Sequence, residues 1–392
     1  MEILNTVSPA ELEELAIQLI NIESHENVEG RETNLVLWLK DYLVREGLEV
    51  QLVPVLDGRP NLIARLRGSE GRPVLLLNGH TDTIPAYNME NAFSGRIIGD
   101  RIYGRGSCDM KGALAAMVST ILALHRSRMK LRGDVILAFT IGEEEHSAGT
   151  YHLINSGTRA DYAIVGEPTN LEIGIAHKGV LWAEAVFEGR SVHGSVPEKG
   201  INAIYSACRW IEKLRTCYIP ELQSKKHPLL GSPTINVGVI NGGTRPTVVP
   251  NRCIVKLERR MIPGEQPETV MRELRDFISI LKEEDETISG TVQEMTVFRG
   301  VPHLPFSIPS DSHIVQTLAR AYFAETGRDA VIRGLTYWTD AALLAMLSGL
   351  QPVVCGPGSI EQAHSSDEWV SRKELYTAYC LYVRTALLLC GE

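Results

Sequence analysis

Val74-Leu75-Leu76-Leu77-Asn78-Gly79-His80-Thr81-Asp82 sets the architecture of this chain. Four aliphatic positions starting at Val74 predict a strand buried on both faces, and the run stops on a histidine followed two residues later by an aspartate. Gly79 and His80 therefore fall where the strand leaves its sheet. Further apolar runs end the same way: 134–141 runs into Gly142-Glu143-Glu144-Glu145-His146, and 161–165 into Gly166-Glu167-Pro168-Thr169. An α/β sheet gathers such strand ends into one crevice, where a histidine and several carboxylates would meet.

Outward from that strand the pattern alternates. Ser8-Pro9-Ala10-Glu11 is a capping box with proline at the first helical position, predicting a helix to Asn21. A second helix is expected over 31–46, stopped by Gly47, then strands over 49–55, 61–66 and 74–78. Asp109-Met110-Lys111-Gly112 opens a helix reaching His125, whose Leu114, Met117, Val118 and Ile121 share one face. Strands and helices in alternation predict a mostly parallel sheet flanked by helices. After His177 the character changes. Strands over 180–188, 234–240, 253–260 and 287–297, with helices over 202–214 and 267–281, give the order β-α-β-β-α-β of a small ferredoxin-like α+β domain. The α/β pattern resumes with helix 312–326, strand 330–333, helix 339–347, strand 352–355 and helix 372–389. The expected organisation is a discontinuous catalytic domain, 1–177 and 296–392, holding an inserted domain at 178–295.

Composition narrows the function. A chain of 392 residues favours two domains, and 44% hydrophobic with 22% charged residues is ordinary for a globular protein. The formal net charge of -9 and the lack of a basic patch exclude a nucleic-acid backbone as partner. The start, Met1-Glu2-Ile3-Leu4-Asn5, lacks a charged region followed by an apolar core, and no apolar run approaches the ~18 residues of a membrane span, so a cytoplasmic protein is expected. Cysteines 108, 208, 217, 253, 355, 380 and 390 are scattered and never spaced as Cys-x-x-Cys, which predicts neither disulfides nor a thiolate zinc site. Cys108 lacks a nearby base and reads as inert. Gly104-Arg105-Gly106 and Lys111-Gly112 fail the glycine spacing of nucleotide-binding loops.

The groups expected at the strand ends are His80, Asp82, Asp109, Glu143, Glu144, Glu167 and His364. Two histidines and three carboxylates without thiolate suit zinc, cobalt or manganese. Two divalent cations carry four positive charges, which three ligand carboxylates and one hydroxide neutralise, so a binuclear site is expected. Asp109, isolated in its own loop, is the natural bridging carboxylate. Asp82 is placed to accept the second N–H of the His80 imidazole. Of the adjacent Glu143 and Glu144, one can bind metal while the other acts as general base. Glu145 and His146 read as a solvated acidic turn.

Gly79-His80-Thr81-Asp82, Gly104-Arg105-Gly106-Ser107-Cys108-Asp109-Met110-Lys111-Gly112, Gly142-Glu143-Glu144, Gly166-Glu167-Pro168-Thr169 and Ala363-His364-Ser365 resemble, in order, the signature segments of the binuclear-zinc aminoacylase and carboxypeptidase family. That family includes acetylornithine deacetylase, succinyl-diaminopimelate desuccinylase, aminoacylase and glutamate carboxypeptidase. The resemblance implies one metal held by His80, Asp109 and Glu167, a second by Asp109, Glu144 and His364, and Glu143 as the base. Zinc is the first expectation, with cobalt or manganese behind it. Glutamate at 167 resembles the deacylase and carboxypeptidase branches more than the aminopeptidase branch. Gly189-Arg190-Ser191-Val192-His193-Gly194-Ser195-Val196-Pro197 is similar to the family's lid segment, whose histidine reaches the partner subunit's active site, which implies a homodimer with His193 on the scissile carbonyl. Glu258-Arg259-Arg260-Met261-Ile262-Pro263-Gly264 resembles the strand whose arginine grips the substrate carboxylate, and the spacing to proline selects Arg260. Thr247 stands where many relatives carry asparagine, which implies a different acyl or carboxylate pocket.

Together these imply a metal-dependent amidohydrolase releasing an acyl group from an N-acyl amino acid. Gly356-Pro357-Gly358-Ser359-Ile360-Glu361-Gln362-Ala363-His364 is most similar to acetylornithine deacetylase. A desuccinylase, or a dipeptidase or carboxypeptidase acting on short peptides, stands next. From a different class, a catalytically silent binding protein would keep the fold but lose the metal ligands.

Overall fold

The computed structural model describes residues 2–145, 147–295, 301–347 and 349–392. It divides into two compact units, Met1–Ile175 with Ile308–Arg333 and Thr339–Glu392, and Ala176–Ser307 with Gly334–Trp338.

The first unit is built on strand Val74–His80, every residue of which is buried. It pairs in parallel with Asp134–Thr140 on one side and Tyr162–Val165 on the other, and Gln351–Val354 continues the parallel set beyond Tyr162–Val165. Antiparallel strands flank this centre: Arg59–Leu66 and Glu49–Leu56 on one side, and Ile173–His177, through Gly174 and Val354, on the other. The architecture is thus mixed α/β with a largely parallel central sheet. Helices Pro9–Asn21, Lys111–Arg126 and Arg372–Cys390 pack into one apolar core with the sheet. Leu75 and Leu77 lie in that core, and burying each side chain contributes about 1.5–3 kcal/mol. Gly79 is required by this packing: a Cβ there would stand 2.6 Å from Leu114 Cδ2 and Met110 Cε.

The second unit is a four-stranded antiparallel sheet with helices Ala203–Lys213 and Pro267–Glu284 on its buried face. Its strands run in the order Thr234–Gly242, Arg252–Met261, Gly179–Glu188, Ser289–Glu294. Along Arg252–Met261 burial alternates strictly, so one side of the strand faces Trp210, Val270 and Leu274 and the other is only partly covered. This is the ferredoxin-like arrangement.

Several boundaries differ from expectation. Helix 339–347 shrinks to Ala341–Leu344, after which the N–H groups of Met346 and Leu347 donate only three residues back, to the Leu343 and Leu344 carbonyls. The strand expected over 330–333 begins later, at Ile332–Leu335, after Gly327 closes the preceding helix in the left-handed conformation. Helix Ala148–Asn155 was not foreseen; its first turn, Ala-Gly-Thr-Tyr, carries little helix propensity. Positions 296 and 297 of the last expected strand, the domain boundary placed there, Met1 and His146 lie outside the described residues. Among the described residues no helix is long and apolar enough to cross a membrane.

Candidate metal centre

The register of the central sheet brings the strand-end residues together. His80 pairs with Thr140, and Thr81 N–H donates to the Thr140 carbonyl, so the turn 142–145 leaves the sheet beside His80-Thr81-Asp82. Gly142, at φ +72, makes that turn. On the opposite side Gly166 N–H donates to the Asn78 carbonyl at 3.1 Å, placing Glu167 one residue further along. Asp109 arrives from the loop before helix Lys111–Arg126, next to the helix N-terminus, where a carboxylate is favoured. His364 comes from the loop after Gln351–Val354 and sits at φ +62, an uncommon conformation for a residue with a Cβ.

Asp109 is the centre of the cluster. Its Oδ1 lies 3.0 Å from His80 Nε2, and its Oδ2 lies 3.5 Å from His364 Nε2. Around these, His80 Nε2 is 3.7 Å from Glu167 Oε1, and His364 Nε2 is 2.9 Å from Glu144 Oε2. The ligand atoms of His80, Asp109 and Glu144 lie within 4.8 Å of one another, as do those of His80, Glu143 and Glu167. A divalent ion with donors at about 2.0–2.2 Å spaces them roughly 3.4 Å apart, so the cluster needs little rearrangement to close on a cation, with more carboxylates at hand than one ion uses. His80, Asp109 and Glu167 are buried, whereas the His364 side chain is about half exposed at 51%, which leaves the cluster open on that side.

The electrostatics fit a cation. Burial, then the charge of Glu167, pushes Glu143 well above the usual carboxylate range. Burial and the charge of Asp109 do the same to Glu167, and burial also raises Glu144. Buried carboxylates that repel one another are the surroundings a divalent ion stabilises. Burial works against a charged His80, yet the Asp109 hydrogen bond, Asp82 and the Glu167 charge hold its pKa well above the ordinary histidine value. The Glu144 hydrogen bond raises His364 to about 9 against the opposing effect of burial.

Asp82 is placed differently from expectation. His80 Nδ1 is 3.0 Å from the Asp82 main-chain oxygen and 3.5 Å from its Oδ1. The carboxylate instead accepts the main-chain N–H of Glu143 at 3.1 Å and of Glu144 at 2.9 Å. It therefore holds the turn bearing the base candidate while still facing the imidazole. Cys108 is buried, and burial together with Glu368 and Asp109 pushes its thiol far up, so it is no nucleophile. Glu145 forms an ion pair with Arg31.

His193 and Arg260 belong to the second unit. His193 is exposed; its Nδ1 lies 2.7 Å from Ser195 Oγ, and its main chain bridges to Val248 while Gly194 N–H donates to Thr247. The segments bearing His193 and Thr247 are thus neighbours within that unit. Arg259 is buried on Glu265 and Tyr218, whereas Arg260, on the opposite side of its strand, is partly exposed and paired with Glu258.

Three carboxylates near the centre were not foreseen. Glu368 is buried against Arg105. Asp340 accepts the Thr150 hydroxyl and is raised to about 6 by burial. Glu32 is paired with Arg59 under the Gly142 turn. Nothing in their local sequence marks them, since their partners are distant in the chain.

Imidazoles and carboxylates sharing one aspartate at the carboxyl end of a parallel sheet define the class of metal-dependent hydrolases. Residues 76–388 match the model of Peptidase family M20/M25/M40, and the chain belongs to that family of enzymes hydrolysing amide bonds. An acetylornithine deacetylase of Myxococcus xanthus is 32% identical over 337 residues, covering 84% of each chain. A probable succinyl-diaminopimelate desuccinylase of Staphylococcus epidermidis is 27% identical over 92% of this chain and 94% of its own. A dinuclear metal-binding peptidase of the M20 family from Bacillus subtilis has the same fold, with a TM-score of 0.74 at 18% identity over 97% of this chain and 98% of that one.

Proposed function

We propose that this hydrolase is a two-metal deacylase of N-acyl amino acids, with N-acetylornithine as the leading substrate. The observation that carries the reading is Asp109, whose two oxygens face His80 on one side and His364 on the other. His80, Asp109 and Glu167 would hold one ion, and Asp109, Glu144 and His364 the other; zinc is preferred, with cobalt or manganese as substitutes. When bound, the pair supplies Lewis-acid polarisation and a lowered pKa for water.

Glu143 takes the proton from the attacking water and passes it to the departing amine. Its carboxylate lies within 4.8 Å of the ligand atoms of His80 and Glu167, in reach of a water held between them. Asp82 fixes the turn bearing Glu143 and orients His80. His193, contributed by a partner subunit, donates to the carbonyl oxygen as it becomes negative, and Arg260 grips the substrate carboxylate. The subunit exchange makes a homodimer necessary, and a fully active monomer in light scattering would overturn that part.

The deacetylase reading is supported by the 32% identity to the Myxococcus enzyme. The relative named as a desuccinylase favours N-succinyl-diaminopimelate as the second reading, with a dipeptide or carboxypeptidase substrate third. Rates on N-acetylornithine, N-succinyl-diaminopimelate and a dipeptide panel, with zinc, cobalt and manganese supplied in turn, separate them. The largest kcat/KM should fall on N-acetylornithine; a dipeptide preference would replace the deacylase reading.

A further inference from the structure

A metal site needs its ligands aimed before the ion arrives, and in this chain one buried side chain is tied to two of the ligand-bearing segments. Glu368 is fully buried, and Arg105 beside it is 1% exposed. Glu368 Oε1 accepts the main-chain N–H of Cys108 at 2.9 Å and of Asp109 at 3.0 Å. Its Oε2 accepts the Gly106 N–H at 3.0 Å and the Arg105 Nη1 at 2.6 Å. A carboxylate offers roughly four acceptor sites, so the loop 105–109 uses its whole capacity. Arg105 in turn donates Nε–H to the Pro85 carbonyl at 3.2 Å, and Gly104 N–H donates to the Glu368 carbonyl at 3.1 Å.

The same residue lies four positions after His364 and directly before strand Trp369–Ser371, whose Trp369 pairs with Tyr103. The loop carrying Asp109 and the segment carrying His364 are therefore fastened to each other at Glu368. Cys108 Sγ adds a second tie, 3.2 Å from the Ser359 carbonyl.

We propose that Glu368 is a positioning residue of the metal centre: its carboxylate locks the loop bearing Asp109 and registers it against the segment bearing His364, independently of bound metal. Its four carboxylate contacts all go to the loop 105–109, so it acts through that loop. Without it, three main-chain N–H groups and a buried guanidinium lose their shared acceptor, and Asp109 loses its fixed relation to His364. The inference rests on the two-metal reading proposed above for the ligands, and adds to it a residue that acts through them.

Glu368→Gln keeps the size but sets an NH2 group against two of the four donors. The test titrates metal-stripped wild type, Glu368→Gln and the exposed neighbour Asp367→Asn with zinc and with cobalt by calorimetry, and records thermal melting of each metal-stripped protein. Glu368→Gln should bind at least one ion about 10–100-fold more weakly while still melting cooperatively, and Asp367→Asn should match wild type. A folded Glu368→Gln with both affinities within about twofold of wild type overturns the proposal. Amide hydrogen exchange in metal-stripped wild type gives a second reading that needs no variant. The N–H groups of Gly106, Cys108 and Asp109 should exchange slowly, and exchange at the rate of an open loop overturns the proposal equally. A wild type that takes up no metal sinks the two-metal reading instead, and the exchange measurement then judges Glu368 alone.

Discussion

Replacing Asp82 by asparagine tests how the catalytic turn is held. Asp82 is 5% exposed, and its carboxylate accepts from the Glu143 N–H at 3.1 Å and the Glu144 N–H at 2.9 Å. An asparagine amide can accept from one of these donors but sets its own NH2 against the other. One bond to an ionised acceptor is then lost, worth about 1.5–3 kcal/mol. At about 1.4 kcal/mol per decade this is roughly a ten- to hundredfold effect. Because the turn carries both Glu143 and Glu144, the loss should fall on turnover. Asp82→Asn is expected to lower kcat/KM on an N-acetyl amino acid by about ten- to hundredfold at saturating metal, with cooperative melting retained. Steady-state kinetics beside elemental analysis reads both quantities. A kcat/KM within about twofold of wild type would show that the turn stands without this carboxylate.

Two further outcomes follow from the same geometry. Glu143→Gln should reduce kcat by about 10²–10⁴ while leaving metal content and substrate KM nearly unchanged, and near-normal rates would remove Glu143 from the role of base. In the metal-stripped protein His364 is raised to about 9, chiefly by its Glu144 hydrogen bond, whereas a ligand imidazole must be neutral. Binding therefore has to displace this proton and the one held on His80, so affinity should rise between pH 7 and 8.5 by up to about tenfold per pH unit for each proton released. Calorimetry in buffers of different ionisation enthalpy counts the released protons; a pH-independent affinity with no proton release contradicts the assignment of His364.

The parallel sheet was legible because its central strands are short apolar runs, and Val74–His80 and Asp134–Thr140 are buried along their whole length. The cluster was legible for the same reason: His80, Glu143, Glu144 and Glu167 are the ionisable groups met as the chain leaves its apolar runs, where the sheet must release it into its crevice. Burial by residues far away in sequence was not legible. Glu368, in Ser365-Ser366-Asp367-Glu368, reads as solvated, and only the loop some 260 positions earlier makes it a buried acceptor. Asp340 is hidden likewise, its hydroxyl partner being 190 positions upstream. Asp82 was read toward the imidazole, but two main-chain N–H groups stood closer to its carboxylate than Nδ1 does. The short helix Ala148–Asn155 is held by its buried Gly149, Thr150 and Leu153 and by Asn61, whose amide donates to the Gly149 carbonyl, rather than by propensity.

Whether one cluster assembles around a shared aspartate is tested most directly by counting ions. Metal-stripped protein titrated with zinc or cobalt, with bound metal and hydrolysis of N-acetylornithine followed together, should reach full activity only as a second equivalent per chain is taken up. In Asp109→Asn the uptake of both ions should fail together. Full activity at one equivalent, or an Asp109→Asn protein that keeps two, would contradict a centre built on Asp109.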